Sequence, residues 1–346
     1  MFLFLLTPLL SSLLLWLSIN TQPPQEFAQP DVISRIAIGS CSDQKRPQEL
    51  WPVVLANNPD LWIWLGDNIY ADTEDMRAMD SMYQVQKTDP VYQQLIRKAR
   101  VVGIWDDHDY GLNDGGKEFG PKAASRDLML KFLDVPQSHP VWKRQGGYQS
   151  YTFGSKGKTL KVILLDARYF RDELRRSTEP NKRYETNENG DILGEAQWKW
   201  LEKELKNNKA LLTLIGSGIQ ILPNEQIFEK WGHFPKARKR LLDLLAKHSN
   251  QNIVLLSGDR HIAELSKTTL PGAAKPLYEF TSSGLTHTWS SIWEESNQYR
   301  VEDLVIAKNF GMILIDWESK PLTVTFEARG LENKCYWSHK AAYPPR

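Results

Sequence analysis

Cysteine is scarce: Cys41 and Cys335 are the only two in 346 residues. That allows one disulfide at most, the default pairing for two cysteines in an exported chain. An excess of one charge is missing as well. Lys and Arg number 43 against 42 Asp and Glu, a net charge of +1, so no nucleic-acid-binding surface and no pull toward an anionic membrane is indicated. No internal repeat, low-complexity tract or shift of composition marks a second domain. No Lys or Arg precedes Arg35 and no clear Ala-x-Ala site is present, so the apolar run over residues 2–17 lacks two marks of a secretory signal. It is also short of the ~20 residues that span a bilayer. With the polar, Pro-containing stretch behind it, the segment 1–30 reads as a signal peptide or an uncleaved anchor with a linker, ahead of one domain over 31–346. Either way the chain is expected to be secreted, periplasmic or on the cell surface, with any membrane association confined to that segment.

What is present is a globular composition, 41% apolar and 25% charged, in a chain long enough for a large core. Thirteen Trp and twelve Tyr supply core aromatics and favour aromatic-lined clefts. The organising stretch is 61–72, where Leu-Trp-Ile-Trp-Leu runs into Gly66-Asp67 and Tyr70 follows. A short apolar run closed by glycine is the pattern of a buried strand, and the strand end is where chemistry sits in open α/β sheets. A strand over 34–39 leads to Cys41, and one over 101–105 leads to Asp106-Asp107-His108-Asp109. A strand over 252–256 leads to Gly258-Asp259-Arg260-His261. Further strands are expected over 147–153, 159–165, 210–215, 277–282, 310–317 and 322–328. Helices are expected from Pro47 to 57, over 76–100, 123–133, 194–206 and 235–248, with a long surface loop over 174–191. Strands alternating with helices imply parallel pairing and right-handed crossovers, which bring those strand ends to one edge.

Each candidate alone has an ordinary reading. Cys41 suits a disulfide or a core position, Tyr70 a core aromatic, His108 a surface histidine, and Asn113 a turn. Asp259 and Arg260 suit a surface ion pair, and Arg168 a pair with Asp166 or Asp172. Glu264, His233 and His287 stand at no spacing that sets them apart. The joint occurrence carries the weight, because four strand ends deliver donor types that suit metals. Thiolate, phenolate and carboxylate (Cys41, Tyr70, Asp67) favour Fe3+, whereas the oxygens of Asp107, Asn113 and Asp259 suit a harder ion, Ca2+, Mg2+ or Mn2+. The five anions among these groups would balance a 3+/2+ pair. Two ions about 3.5–4 Å apart can clamp an in-line phosphoryl displacement.

Gly39-Ser40-Cys41, Gly66-Asp67-Asn68-Ile69-Tyr70, Trp105-Asp106-Asp107-His108-Asp109 with Asn113, Leu165-Asp166-Ala167-Arg168, Gly194-x-x-Gln197-x-x-Trp200 and Ser257-Gly258-Asp259-x-His261 resemble the PhoD-like alkaline phosphatases of the metallophosphoesterase superfamily. The resemblance implies an α/β fold, a four-layer α/β/β/α sandwich of two mixed sheets. It implies that Cys41, Asp67, Tyr70 and His261 hold iron with Asp67 bridging. Asp107, Asn113 and Asp259 then hold a second ion, calcium in the family's described member, with Mg2+, Mn2+ or Zn2+ as alternatives. A metal-bridged hydroxide would attack a phosphomonoester or phosphodiester, His108 would serve as general acid, and Arg168, with Tyr110 and Arg260 alongside, would meet the substrate. Cys41 replaces the superfamily's usual Asp-x-His opening. A phosphodiesterase for lipid or nucleotide diesters and a non-catalytic, calcium-stabilised surface binding protein are the alternatives.

Overall fold

The structure, a computed structural model, describes residues 31–155, 157–289 and 295–344; the expected signal or anchor over 1–30 lies outside them. Among the described residues no helix is long and apolar enough to cross a membrane. The first half alternates strand and helix. In order come β1 (Arg35–Gly39), α1 (Trp51–Ala56), β2 (Leu61–Leu65), α2 (Met76–Lys87), α3 (Pro90–Lys98), β3 (Arg100–Ile104), α4 (Asp107–Tyr110) and α5 (Lys122–Phe132). The hairpin β4 (Gln149–Phe153) and β5 (Leu160–Leu164) follows, then α6 (Gly194–Lys206), β6 (Leu212–Ser217), α7 (Pro235–Lys247) and β7 (Ile253–Ser257). The chain ends in strands: β8 (Ala263–Thr268), β9 (Leu277–Ser282), β10 (Phe310–Asp316), β11 (Leu322–Arg329) and β12 (Cys335–Tyr343).

These strands form two six-stranded mixed sheets, ordered β12-β11-β10-β1-β2-β3 and β4-β5-β6-β7-β9-β8. In the first, β1, β2 and β3 are parallel, and β10 returns antiparallel to β1. In the second, β5, β6, β7 and β9 are parallel, flanked by antiparallel β4 and β8. Strand alternation divides the apolar residues between layers. Leu160, Val162 and Leu164 join the core shared with the first sheet, whereas Ile163, Ile215 and Leu255 pack with Trp198, Leu201 and Leu241 of α6 and α7. On the outside of the first sheet, Trp62 and Trp64 meet Trp51 of α1 edge-on, with ring centroids 5.0 and 5.3 Å apart. The result is the four-layer sandwich, with both cysteines free. The expected disulfide does not form: Cys41 is buried and Cys335 lies exposed at the start of β12, its thiol toward the Trp337 carbonyl.

Several local expectations shift. The helix near Pro47 starts at Trp51, with Pro52 in its first turn. The 76–100 helix divides where Asp89 caps α3 ahead of Pro90, since proline at the first turn starts a helix rather than continuing one. The closing strands divide between the two sheets. β10, β11 and β12 return to the first, and β8 and β9 complete the second.

Candidate metal centre

The C-terminal ends of β1, β2, β3 and β7 meet at one rim, and tight backbone turns aim their side chains there. Cys41, Asp67, Asp259 and His261 all have positive φ (59°, 49°, 68° and 55°). A left-handed conformation costs a non-glycine residue roughly 1–2 kcal/mol, and strain of this kind gathers at functional sites. Gly66 needs its φ of 98°, and a Cβ there would strike Asp106. A Cβ on Gly258 would strike the carbonyl of Leu65 across the two sheets. Asp109 fastens the turn after β2. Its carboxylate accepts the backbone N–H of Asp67 (3.1 Å), Asn68 and Asp106 (2.7 Å), plus the Asn68 amide and the Tyr83 hydroxyl.

Three donors converge on Asp67. The Cys41 thiol lies 3.3 Å and the Tyr70 hydroxyl 3.5 Å from its Oδ2, while the His108 N–H reaches its Oδ1 at 3.3 Å. Asp67, Asp107 and His108 offer ligand atoms within 4.8 Å of one another, and so do Asp106, Asp107 and Asp259. Asp107, rather than Asp67, is thus common to the two groups. A rank of rings crosses the rim: His108 stacks on Tyr70 at 4.1 Å, Tyr70 meets His287 at 5.1 Å, and His287 meets His261 at 4.4 Å.

The electrostatics are those of a cation site. Burial, then the neighbouring Asp107, pushes the Asp67 carboxyl well above its usual range. The same two causes raise Asp259 to about 7. Burial raises Asp106 too, although Arg168 opposes it. Burial followed by neighbouring anions raises the Cys41 thiol and the Tyr70 phenol. Among these rim carboxyls Asp107 alone falls below its usual range, because the charges of His108 and Arg168 outweigh its burial. His261 is lowered to about 3 and His287 to about 4, burial being the main cause in both, which leaves them neutral, the ligating form of imidazole. Buried anions without matching cations are costly, and a bound divalent or trivalent ion inverts that cost. Two buried atoms without a partner, His261 Nδ1 and Asp106 Oδ2, fit the same reading. The donor set therefore suits metal ions.

Not every expected residue joins the rim. Asn113 is exposed and donates its amide to Asp114 at 2.8 Å, although the Asp114 N–H itself caps Asp107 Oδ2 at 2.8 Å. Arg168 is wholly buried. Its Nε pairs with Asp106 at 2.6 Å and its Nη1 with Glu229 at 2.5 Å, so its fork is occupied except at Nη2. Its guanidinium pairs with neither Asp166 nor Asp172; only its backbone N–H reaches Asp166, at 2.9 Å. Tyr110 is also fully buried, its hydroxyl on the Gly116 carbonyl (2.7 Å) and its ring against Trp105 and Phe119, so it walls the site from beneath. Arg260 is 2% exposed and bonds Glu295 at 2.6 Å. Three residues at the rim were assigned no role from the sequence. Asp72 holds His108 Nδ1 at 2.8 Å, Asp106 bonds Arg168, and His287 completes the rank of rings. Asp72 belonged to the organising stretch and Asp106 adjoined Asp107, but adjacency does not say which carboxylate turns inward; His287 had no such signal.

The model of the PhoD-like phosphatase family matches residues 80–326. The solved structure of PhoD superposes with a TM-score of 0.70 at 16% identity, covering 90% of this chain and 68% of that one. GAP50, the anchor in the inner membrane complex of Plasmodium, superposes with a TM-score of 0.59 at 12% identity, covering 90% and 89%. At such identities the likeness is one of fold. No curated protein matches the chain.

Proposed function

The chain belongs to the PhoD-like phosphatase family and is a metal-dependent hydrolase of phosphoric esters, and from that premise we propose how its rim performs the reaction. Cys41, Asp67, Tyr70 and His261 would hold one ion, with iron suited to so anionic a set. Asp107 and Asp259 would hold the other, with calcium, magnesium, manganese or zinc as candidates. When bound, the ions supply Lewis acidity at the phosphoryl oxygens and activation of water. The observation that supports this reading is the packing together of four carboxylates, Asp67, Asp106, Asp107 and Asp259, buried or nearly so, where the cationic side chains that act on them among the described residues, His108, Arg168 and Arg260, include two already paired with Glu229 and Glu295.

His108 is the acid in this scheme. Burial pulls its pKa down, but with no ion at the rim Asp107, Asp67 and the Asp72 hydrogen bond raise it to about 11, and the Asp72 bond is the contribution that lies outside the proposed ligand set. With Nδ1 held by Asp72, Nε2 is the nitrogen free to protonate the departing alkoxide. Arg168 serves chiefly by fixing Asp106, leaving Nη2 as the edge with which it could steady phosphate. The substrate is a small phosphate ester, mono- or diester. Export to the cell surface or beyond, carried by residues 1–30, belongs to the same proposal. GAP50 is an anchor on this fold, but a purely binding role gives no reason for Asp72 to orient a free imidazole nitrogen beside the carboxylates.

Elemental analysis of the purified protein, paired with mono- and diester assays, tests the reading. Two ions per chain and turnover of either ester are expected; a metal-free, fully active enzyme would refute it. Asp72→Asn should forfeit part of the roughly 10²–10⁴-fold that a positioned acid supplies while leaving metal content at the wild-type level.

A further inference from the structure

The loop that follows β1 carries more than Cys41, because it also reaches the turn that holds Asp67 and Tyr70. The Ser42 N–H donates to the Asp67 carbonyl at 2.9 Å. The Asp43 N–H donates to the Thr286 hydroxyl at 2.9 Å, and that hydroxyl donates to the Cys41 carbonyl at 3.1 Å. The most direct tie is Gln44, a buried side chain three residues past Cys41. Its Oε1 accepts the Tyr70 N–H at 2.8 Å, and its Nε2 donates to the Tyr70 carbonyl at 3.1 Å. One side-chain amide thus grips both backbone groups of Tyr70, as a paired strand would.

Tyr70 has need of that grip. Asp67 and Asp72, on either side of it, have positive φ of 49° and 43°, and backbone bent in this way persists only where its surroundings hold it. The side chain's own contacts fix less. Its hydroxyl lies 3.5 Å from Asp67 Oδ2, long for a hydrogen bond between oxygens. Its ring meets His108 at 4.1 Å and His287 at 5.1 Å, contacts that limit tilt more than they limit sliding in the ring's own plane. How far the phenol reaches toward the rim is then set by where its backbone stands. We propose that Gln44 is a positioning residue, which aims the Tyr70 phenol at the ion that Cys41 also holds. The inference rests on the reading of Cys41 and Tyr70 as ligands of one ion. Because Gln44 lies on the loop that supplies the thiol, a single piece of backbone sets thiol and phenol together.

The test dialyses the metal-bearing protein against graded EDTA and measures retained metal by elemental analysis. It compares the wild type with Gln44→Met, Tyr70→Phe, the double variant and Gln48→Met. Gln48 is the control, since its amide bonds the Asp43 and Arg46 carbonyls within the same loop, at 2.9 and 3.2 Å. Gln44→Met should lower the EDTA concentration that strips half of the metal by roughly ten-fold, the lower end of what partners behind metal ligands supply. Gln48→Met should leave it unchanged. The double variant should hold metal as Tyr70→Phe alone does, because the grip on residue 70 has no oxygen left to aim. A double variant stripped more easily than Tyr70→Phe overturns the proposal, and so do equal losses in Gln44→Met and Gln48→Met, which would mark loop rigidity alone. Gln44→Asn, whose amide falls one methylene short, carries the same comparison should Gln44→Met not fold. Ester hydrolysis is scored separately on the same preparations. A metal-bearing wild type that cleaves no phosphate ester removes the phosphoesterase reading, and the comparison still decides on Gln44. Hydrolysis with independent, multiplying losses removes the proposal alone, and a wild type that carries no metal removes both.

Discussion

Asp67 and Asp166 occupy equivalent places in the two sheets, each a buried carboxylate two residues beyond a parallel strand, β2 and β5. Their partners differ. Asp166 accepts the Trp105 indole N–H and the backbone N–H groups of Arg168 and Tyr169 at 2.9 Å through Oδ1, and the Gly147 N–H at 2.7 Å through Oδ2. Asp67 has one long backbone N–H, a thiol and a phenol, and faces Asp107. One carboxylate is satisfied by strong donors of the protein itself; the other has only long contacts and, in the proposed function, is completed by a cation. Burial and position on the strand do not distinguish a structural clamp from a ligand. The inventory of partners does.

Exchanging each acid for its amide should break the symmetry in opposite directions. Asp67→Asn should lose metal and lower kcat/KM by more than the roughly 10–100-fold typical of residues behind the ligands. Its metal-free form should melt above the metal-free wild type, because a buried carboxyl held above its usual range by burial and Asp107 is relieved of its charge. Asp166→Asn should keep the metals but lower stability by about 2–4 kcal/mol in a denaturant titration, since its amide group confronts donors that need an acceptor. If both variants lose metal equally, the contrast is void.

The metal-free protein sharpens the same contrast through pH. Burial, followed by Asp107, raises Asp259 to about 7, above its ordinary value of 3.8. Between those values the folded chain holds a proton that the unfolded chain has released, so stability is full below the lower value and declines as pH rises through about 7. Melting of chelated protein should therefore fall between pH 5 and pH 8, and metal loading should abolish the decline. A chelated protein that melts equally at both would count against the cation-dependent charge cluster. The smallest effect is expected away from the rim. Cys335→Ser should change stability by no more than about 0.5 kcal/mol, and the denatured, metal-stripped wild type should titrate as two free thiols.

Much of this was legible in the chain. Leu61–Leu65 and Ile253–Ser257 announce themselves as buried strands, and their Gly-Asp ends mark the rim. The strands β8 and β12 were missed because each is the last of its sheet; Glu264, Ser266, Ser338 and Lys340 interrupt the apolar pattern that a central strand shows. The Asp89-Pro90 pair holds the signal that divides α2 from α3 inside the single helix expected over 76–100. Partner identity was beyond reach. Nothing near Arg168 in the chain points to Glu229, sixty-one residues away, or places His287 against Tyr70, because such contacts are set by how two sheets pack rather than by local pattern.

Anomalous scattering from crystals of the active, as-purified protein tests the central claim most directly. Two peaks are expected at the rim, one among Cys41, Asp67, Tyr70 and His261 and the other beside Asp107 and Asp259, with nothing at Asp166. An active crystal with no peak at the rim would contradict the account.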